Sequence, residues 1–210
     1  TWDLDQKGIR FPNQEKPKEA TERGGRGILP GTYEVMVGYD GAISQQSVEV
    51  LVNPKEPITF DEMKQKADAL DRFESIIQPF TDRFDQLRDA KKSIELIKSR
   101  LTGITDTAQV SLIKKSSKEQ LDSIEEIFER FRGPDKIQGI YNDPKLINRQ
   151  ISQMRRALQD VLFTYTDAQL HRLNELEKVL EPELKLIDDY LNGSWQTYRK
   201  VVEESKISFF

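Results

Sequence analysis

FDEMKQKADALDRFESIIQPFTDRFDQLRDAKKSIELIKSRL, residues 60–101, is the stretch that decides the fold. Within it Phe73, Phe80, Leu87, Ile94 and Leu101 recur every seven residues, with Leu70, Ile77 and Phe84 at the companion positions. Helical geometry gathers that spacing into one apolar seam and leaves the remaining faces to Asp, Glu, Lys and Arg. The segment predicts a single amphipathic helix about 60 Å long at 1.5 Å per residue. Thr59 or Asp61 can cap its first amides, and Thr102-Gly103 closes it. Pro79 falls inside and denies the Ser75 carbonyl its helical donor. Because the stripe stays in phase through Phe80, Phe84 and Leu87, a kink is expected rather than a break.

Working outward toward the C-terminus, three further segments repeat the pattern. The second begins at Asp106 or Thr107, aligns Val110, Ser117, Ile124 and Phe131 with Ile113, Leu121 and Phe128, and stops at Gly133-Pro134. After a loop containing Ile137, Ile140 and Tyr141, Asp143-Pro144 reads as an N-cap followed by proline at the first helical position. The third segment carries Ile147, Ile151, Met154, Leu158, Val161 and Tyr165. A fourth starts near Thr166 and runs through Leu173, Leu180, Ile187, Leu191, Trp195, Tyr198 and Val202, with Pro182 as a second kink. Short connections predict antiparallel neighbours, hence an antiparallel four-helix bundle with long kinked helices.

Toward the N-terminus the pattern changes to period two. Tyr33, Val35, Val37 and Tyr39 share one strand face, Asp40-Gly41 supplies a type I′ turn, and the return strand carries Gln46, Val48, Val50 and Val52. Asn53-Pro54 and Pro57 end the β-like part, which places a domain boundary between residues 1–57 and 58–210. Trp2 and Leu4 also read as β-like, and the polar stretch from Asp5 to Gly27 reads as a long loop, with Arg23-Gly24-Gly25-Arg26-Gly27 a flexible connector. The fold class is therefore α+β, mainly α.

Composition narrows the function classes. The 210 residues include 36 Asp and Glu against 32 Lys and Arg, a net charge of −4, and the basic residues are interleaved rather than gathered. That argues against a nucleic-acid partner. No apolar run reaches the ~20 residues of a membrane span. Cysteine is absent, which removes disulfides, thiol nucleophiles and cysteine zinc sites.

Few residues carry chemistry in a usable pattern. His171 is the single histidine, four residues after Asp167 on one helical face, and a surface pair is the expected role, since no Gly-x-Ser-x-Gly nucleophile accompanies it. Glu125-Glu126, Glu181, Glu183 and Asp188-Asp189 lack the Glu-x-x-His of bundle di-metal sites and the spacing of a calcium loop, so they read as solvated faces. The sequence calls for no catalytic residue, metal or cofactor. Trp2, Tyr33 and Tyr39 remain as an aromatic contact surface for glycan or protein, with a β core as their plainer role, and Phe209-Phe210 as a frayed end.

Trp2-Asp3-Leu4, the polar loop, Leu29-Pro30-Gly31-Thr32-Tyr33 opening a Val-rich hairpin, Asn53-Pro54 and the long helix together resemble the C-terminal region of bacterial secreted sortilin-like β-propeller proteins with BNR repeats, often labelled glycosyl hydrolases. Asn142-Asp143-Pro144-Lys145-Leu146-Ile147-Asn148 is similar to a stretch of that family's helical tail. The resemblance implies a partial Ig-like β segment with Trp2 on a late strand, a propeller preceding residue 1, and a periplasmic or extracellular location. The Asp-box pattern Ser-x-Asp-x-Gly-x-x-Trp occurs nowhere here, so a glycosidase activity does not transfer to these residues. The expected role is a non-catalytic structural or interaction module whose partners are the upstream propeller, another protein or a second copy. A glycan-binding module and an accessory part of a glycoside hydrolase are the alternatives.

Overall fold

A computed structural model describes residues 2–17, 24–55, 57–105, 108–134, 143–159 and 165–205. Its elements are β1 (Asp5–Lys7), β2 (Gly24–Gly27), β3 (Gly31–Tyr39), β4 (Ala42–Val50), α1 (Phe60–Arg100), α2 (Ala108–Arg132), α3 (Ile147–Gln159), α4 (Asp167–Asn192) and α5 (Ser194–Glu203). The chain is α+β and mainly α, as its periodicity implies. The expected helix start at Asp106 or Thr107, the loop residues Ile137, Ile140 and Tyr141, and Asn142, Val161, Phe209 and Phe210 lie outside the described residues.

Two helix starts obey the capping logic of their sequence. Thr59 accepts from the Glu62 amide at 3.3 Å while Glu62 accepts from the Thr59 amide at 2.7 Å. Thr166 and Gln169 repeat the exchange at the head of α4. The Asp143-Pro144 start differs from expectation. Asp143 instead accepts from the Lys145 amide at 2.8 Å, a local turn that its short side chain favours, and the helix begins at Ile147.

All four helical segments pack around a continuous core in which Phe73, Ile77, Phe80, Phe84, Leu87 and Ile94 of α1 are buried. Their ring and ion contacts set the directions. Phe80 meets Phe131 and Phe84 meets Phe128, with centroids 5.8 and 5.7 Å apart, while Lys91 reaches Glu125 at 3.2 Å, so α1 and α2 are antiparallel. Arg72 donates to Glu177 at 2.6 Å and Arg83 donates to Asp188, each across 105 residues. A constant offset means that α1 and α4 run parallel. α3 lies antiparallel to α4, since Gln169 at the head of α4 donates to the Ala157 carbonyl near the end of α3 at 3.0 Å, so α2 and α3 both run against α1. The end of α3 lies near the N-terminal part of α1, where the Tyr165 hydroxyl donates to the Leu158 carbonyl at 2.9 Å and stands 3.5 Å from the Lys66 carbonyl. α1 thus packs against α2, α3 and α4, and α2 packs also against α3 and α5.

The fourth segment departs from the expected continuous helix. Pro182 lies within unbroken α4, and the interruption falls at Gly193. A Cβ there would stand 2.8 Å from the Asp189 carbonyl oxygen, closer than side chains tolerate. The glycine thereby re-aims α5, whose Tyr198 hydroxyl lies 2.9 Å from Ser117 Oγ on α2.

The stretch read as a loop contains the pairing of β1 with β2, and the segment read as a flexible connector is β2 itself. Its glycines are needed for contact. A Cβ on Gly25 would sit 2.6 Å from the Gln6 carbonyl oxygen, and one on Gly8 would sit 2.5 Å from that of Gly24. Trp2 precedes β1 and belongs to no strand. β3 and β4 form a separate antiparallel hairpin, with Asp40 and Gly41 at φ of 45° and 78° as the type I′ turn requires.

Candidate functional site

Three places hold the residues that carry chemistry. The first is the aromatic corner at Trp2. Its indole N–H donates to the Asp5 carbonyl at 2.9 Å, and its ring meets Tyr33 edge-on with centroids 6.1 Å apart. Tyr33 in turn donates to the Leu29 carbonyl at 2.6 Å. Trp2 and Tyr33 are therefore brought together by the turn that launches β3. Tyr39 is not. It lies six residues further along the strand, about 20 Å away, and is 84% exposed beside the hairpin turn.

The second is an open groove of about 690 Å³ between α1 and α4. Ile76, Pro79, Phe80, Leu180 and Leu184 contribute apolar wall, and Arg72, His171, Asn174, Glu177, Lys178 and Glu181 contribute polar wall. Pro79 and Pro182 deny helical donors to the Ser75 and Lys178 carbonyls, so both walls carry backbone acceptors outside the helix ladder. His171 lines this groove. The hydroxyl nearest in kind to a nucleophile, Ser75 Oγ, donates to the Arg72 carbonyl at 2.7 Å instead.

The third is a strap that the sequence did not disclose. Residues 9–14 leave the β1–β2 ribbon and cross α1. Arg10 donates to Asp85 Oδ1 at 2.9 Å and to the Gln14 carbonyl at 2.7 Å, and Arg88 donates to the Pro12 carbonyl and to Asp85. Thr81, fully buried, donates to the Arg10 carbonyl at 2.9 Å. Phe11 inserts beside Phe73 with centroids 6.1 Å apart, and the Arg155 guanidinium lies 4.4 Å from its ring centre. β2 is tied down by Arg26, which forks onto both oxygens of Asp71 at 2.7 Å. That fork raises the Arg26 pKa. Next to it burial, with help from Asp71, raises the Glu74 pKa. The signal in the sequence is Ile9 and Phe11, two apolar residues flanking Arg10 in a polar stretch, too short to read as an anchor.

The carboxylates singled out earlier are spread across helix seams. Glu125 serves Lys91 and Arg132, Glu183 accepts from Arg130 Nε at 3.0 Å, and Asp188 accepts from Arg83. Among the described residues no group of three His, Asp or Glu side chains is placed to hold a metal ion, and no helix is long and apolar enough to cross a membrane. Burial pushes Tyr165 up to about 12, and burial likewise raises Tyr190 and Tyr198. These phenols stay neutral at physiological pH and act as packing groups with polar tips. Comparison with protein-family models, with curated proteins and with solved structures finds no match to this chain.

Proposed function

We propose that this chain is a non-catalytic structural and interaction module. The observation that carries this reading is how its polar chemistry is spent. Among the described residues the buried side chains are apolar apart from Thr81 and Ser117, and Arg10, Arg26, Arg72, Arg83 and Arg130 each join an acid on another element. A rod set held in this way keeps two surfaces at a fixed separation, which suits a spacer or a docking platform. Its attachment to an upstream β-propeller, and with it a periplasmic or extracellular setting, rests on the family resemblance of its sequence motifs alone.

The test uses the whole chain and a longer parent. Chromogenic glycosides should show no saturable turnover with residues 1–210, and a parent lacking residues 58–210 should keep its activity while small-angle scattering shows altered domain spacing. Turnover by the isolated chain that disappears in Glu181→Gln would defeat the proposal.

A second reading, a glycan- or protein-binding β module, draws on the exposure of Tyr39 and of Trp2. A glycan-array signal abolished by Tyr39→Ala would favour it.

A further inference from the structure

The β3–β4 hairpin comprises nine cross-strand pairs in unbroken register, from Gly31 with Val50 to Tyr39 with Ala42. In a hairpin closed by a two-residue turn, the pair beside the turn exchanges both main-chain hydrogen bonds and every second pair repeats this. The intervening residues therefore turn their N–H and C=O groups outward. On β4 these are Ile43, Gln45, Ser47 and Glu49. Among the described residues, no third strand meets either edge.

Edge strands usually discourage such pairing with Lys, Pro or a bulge. Residues 31–50 contain no Lys, Arg or Pro, and their charged residues are all acidic: Glu34, Asp40 and Glu49. The two faces differ in chemistry. Tyr33, Val35, Val37 and Val48 share an uncharged face, whereas Glu34 and Glu49 share the other with Met36 and Ile43. Met36 is 67% and Ile43 is 75% exposed. A two-stranded ribbon with this much open apolar surface is marginal by itself, and a third strand is the usual remedy.

We propose that β4 is a pairing edge that accepts an extended segment of a partner protein in which apolar and basic residues alternate. Main-chain groups of the segment bond to Gln45, Ser47 and Glu49. Its apolar residues continue the Val48 face, and its Lys or Arg residues lie beside Glu49 on the other. β4 is the better edge because each outward position carries a side chain, while β3 presents Gly38 at one of its own. A second copy is the weaker occupant, since it would bring three more acids and no base against an acidic hairpin. This assignment rests on reading the chain as an interaction module. Enzymatic turnover would defeat that reading without deciding the strand pairing, which binding alone decides.

Fluorescence anisotropy with three labelled peptides makes the test: one alternating Val with Lys, one alternating Val with Glu, and the Val/Lys peptide with a central proline. Gln45→Pro removes an outward N–H while leaving the inward ladder to β3 intact. The Val/Lys peptide should bind the wild-type chain, weaken with added salt, and lose about tenfold or more in affinity against Gln45→Pro, as should the other two peptides against wild type. Hydrogen exchange should show the Ser47 and Glu49 amides protected only with the Val/Lys peptide. If Gln45→Pro disturbs the hairpin itself, Glu49→Lys tests the charge requirement and should weaken the Val/Lys peptide while strengthening the Val/Glu one. Equal binding by Gln45→Pro with an intact hairpin, indifference to peptide charge, or no binding at millimolar peptide overturns the proposal. So does sedimentation showing a dimer that Gln45→Pro converts to monomer, which would name a second copy as the occupant.

Discussion

The β1–β2 ribbon and the β3–β4 hairpin are both two-stranded and antiparallel, yet they relate to the helices in opposite ways. The ribbon is short, irregular in register and rich in glycine, and it is sewn to the bundle through Arg10, Phe11 and Arg26. The hairpin is long, regular and Val-rich, and its outer half stands free. Strand regularity fixes pairing within a ribbon. Attachment depends on what the flanking residues deliver: here one aromatic side chain and two guanidinium groups placed over α1.

That contrast can be broken by substitution. The largest effect should come from the shared core: Phe84→Ala, which removes a ring 4.4 Å from that of Phe131, should cost about 3–5 kcal/mol in urea unfolding. A loss below about 1 kcal/mol would mean that the aromatic centre does not join α1 to α2.

Next comes the strap. Arg10→Ala should cost about 1.5–3 kcal/mol, since it removes charged hydrogen bonds in a mostly buried pair with Asp85. The exposed Lys16→Ala should be silent by the same measurement. Equal outcomes would erase the distinction between the two ribbons.

Thr59→Ala breaks the capping box where the hairpin segment hands over to α1, and should cost about 1 kcal/mol. Its unfolding midpoint should fall with hairpin exchange rates unchanged.

The pH dependence sharpens the comparison on the ribbon side. Tyr165 holds its proton up to about 12 when folded because burial disfavours the phenolate, against an ordinary value near 10. The raised value means that its contribution is fully present below the unfolded pKa of about 10 and is lost as pH rises through about 12. Tyr165→Phe should flatten the alkaline limb of stability against pH, and a limb as steep as in the wild-type chain would show that burial does not hold the Tyr165 proton.

The smallest effect belongs to the hairpin tip. Tyr39→Ala should change global stability by no more than about 0.5 kcal/mol, because its side chain is largely in water. A larger loss would show that the hairpin is coupled to the core after all.

Much of the helical architecture was legible because heptad spacing and capping signals are local. Phe73, Phe80 and Leu87 declare a seam, and Thr59 with Glu62 declares a start. Helix direction was less legible, because nothing in the spacing of Arg72 or Glu177 announces that they meet. Gly193 was passed over because one glycine in a long apolar repeat leaves the period intact, whereas the steric demand appears only once the Asp189 carbonyl is in place. The glycine ribbon escaped for a related reason: close backbone approach is encoded by missing side chains, which produce no hydrophobic alternation. Of the aromatic surface, Trp2 with Tyr33 is joined by a turn and Tyr39 is separated from them by strand length. The strap was hidden because its partners lie more than seventy residues apart.

Among the described elements α1 is the longest, and it packs against α2, α3 and α4 alike. It therefore acts as a camshaft, fixing the rotational phase of one set of contacts against the other. Deleting a single residue between Ile77 and Phe84 would turn the two ends by about 100° relative to each other, since a helix completes a turn in 3.6 residues. Asp71, which holds Arg26, would then face one way, and Asp85 and Arg88, which hold the strap, would face another together with Leu101. Length in this helix is consequently held to whole turns, while the breaks in the other rods leave room for insertion.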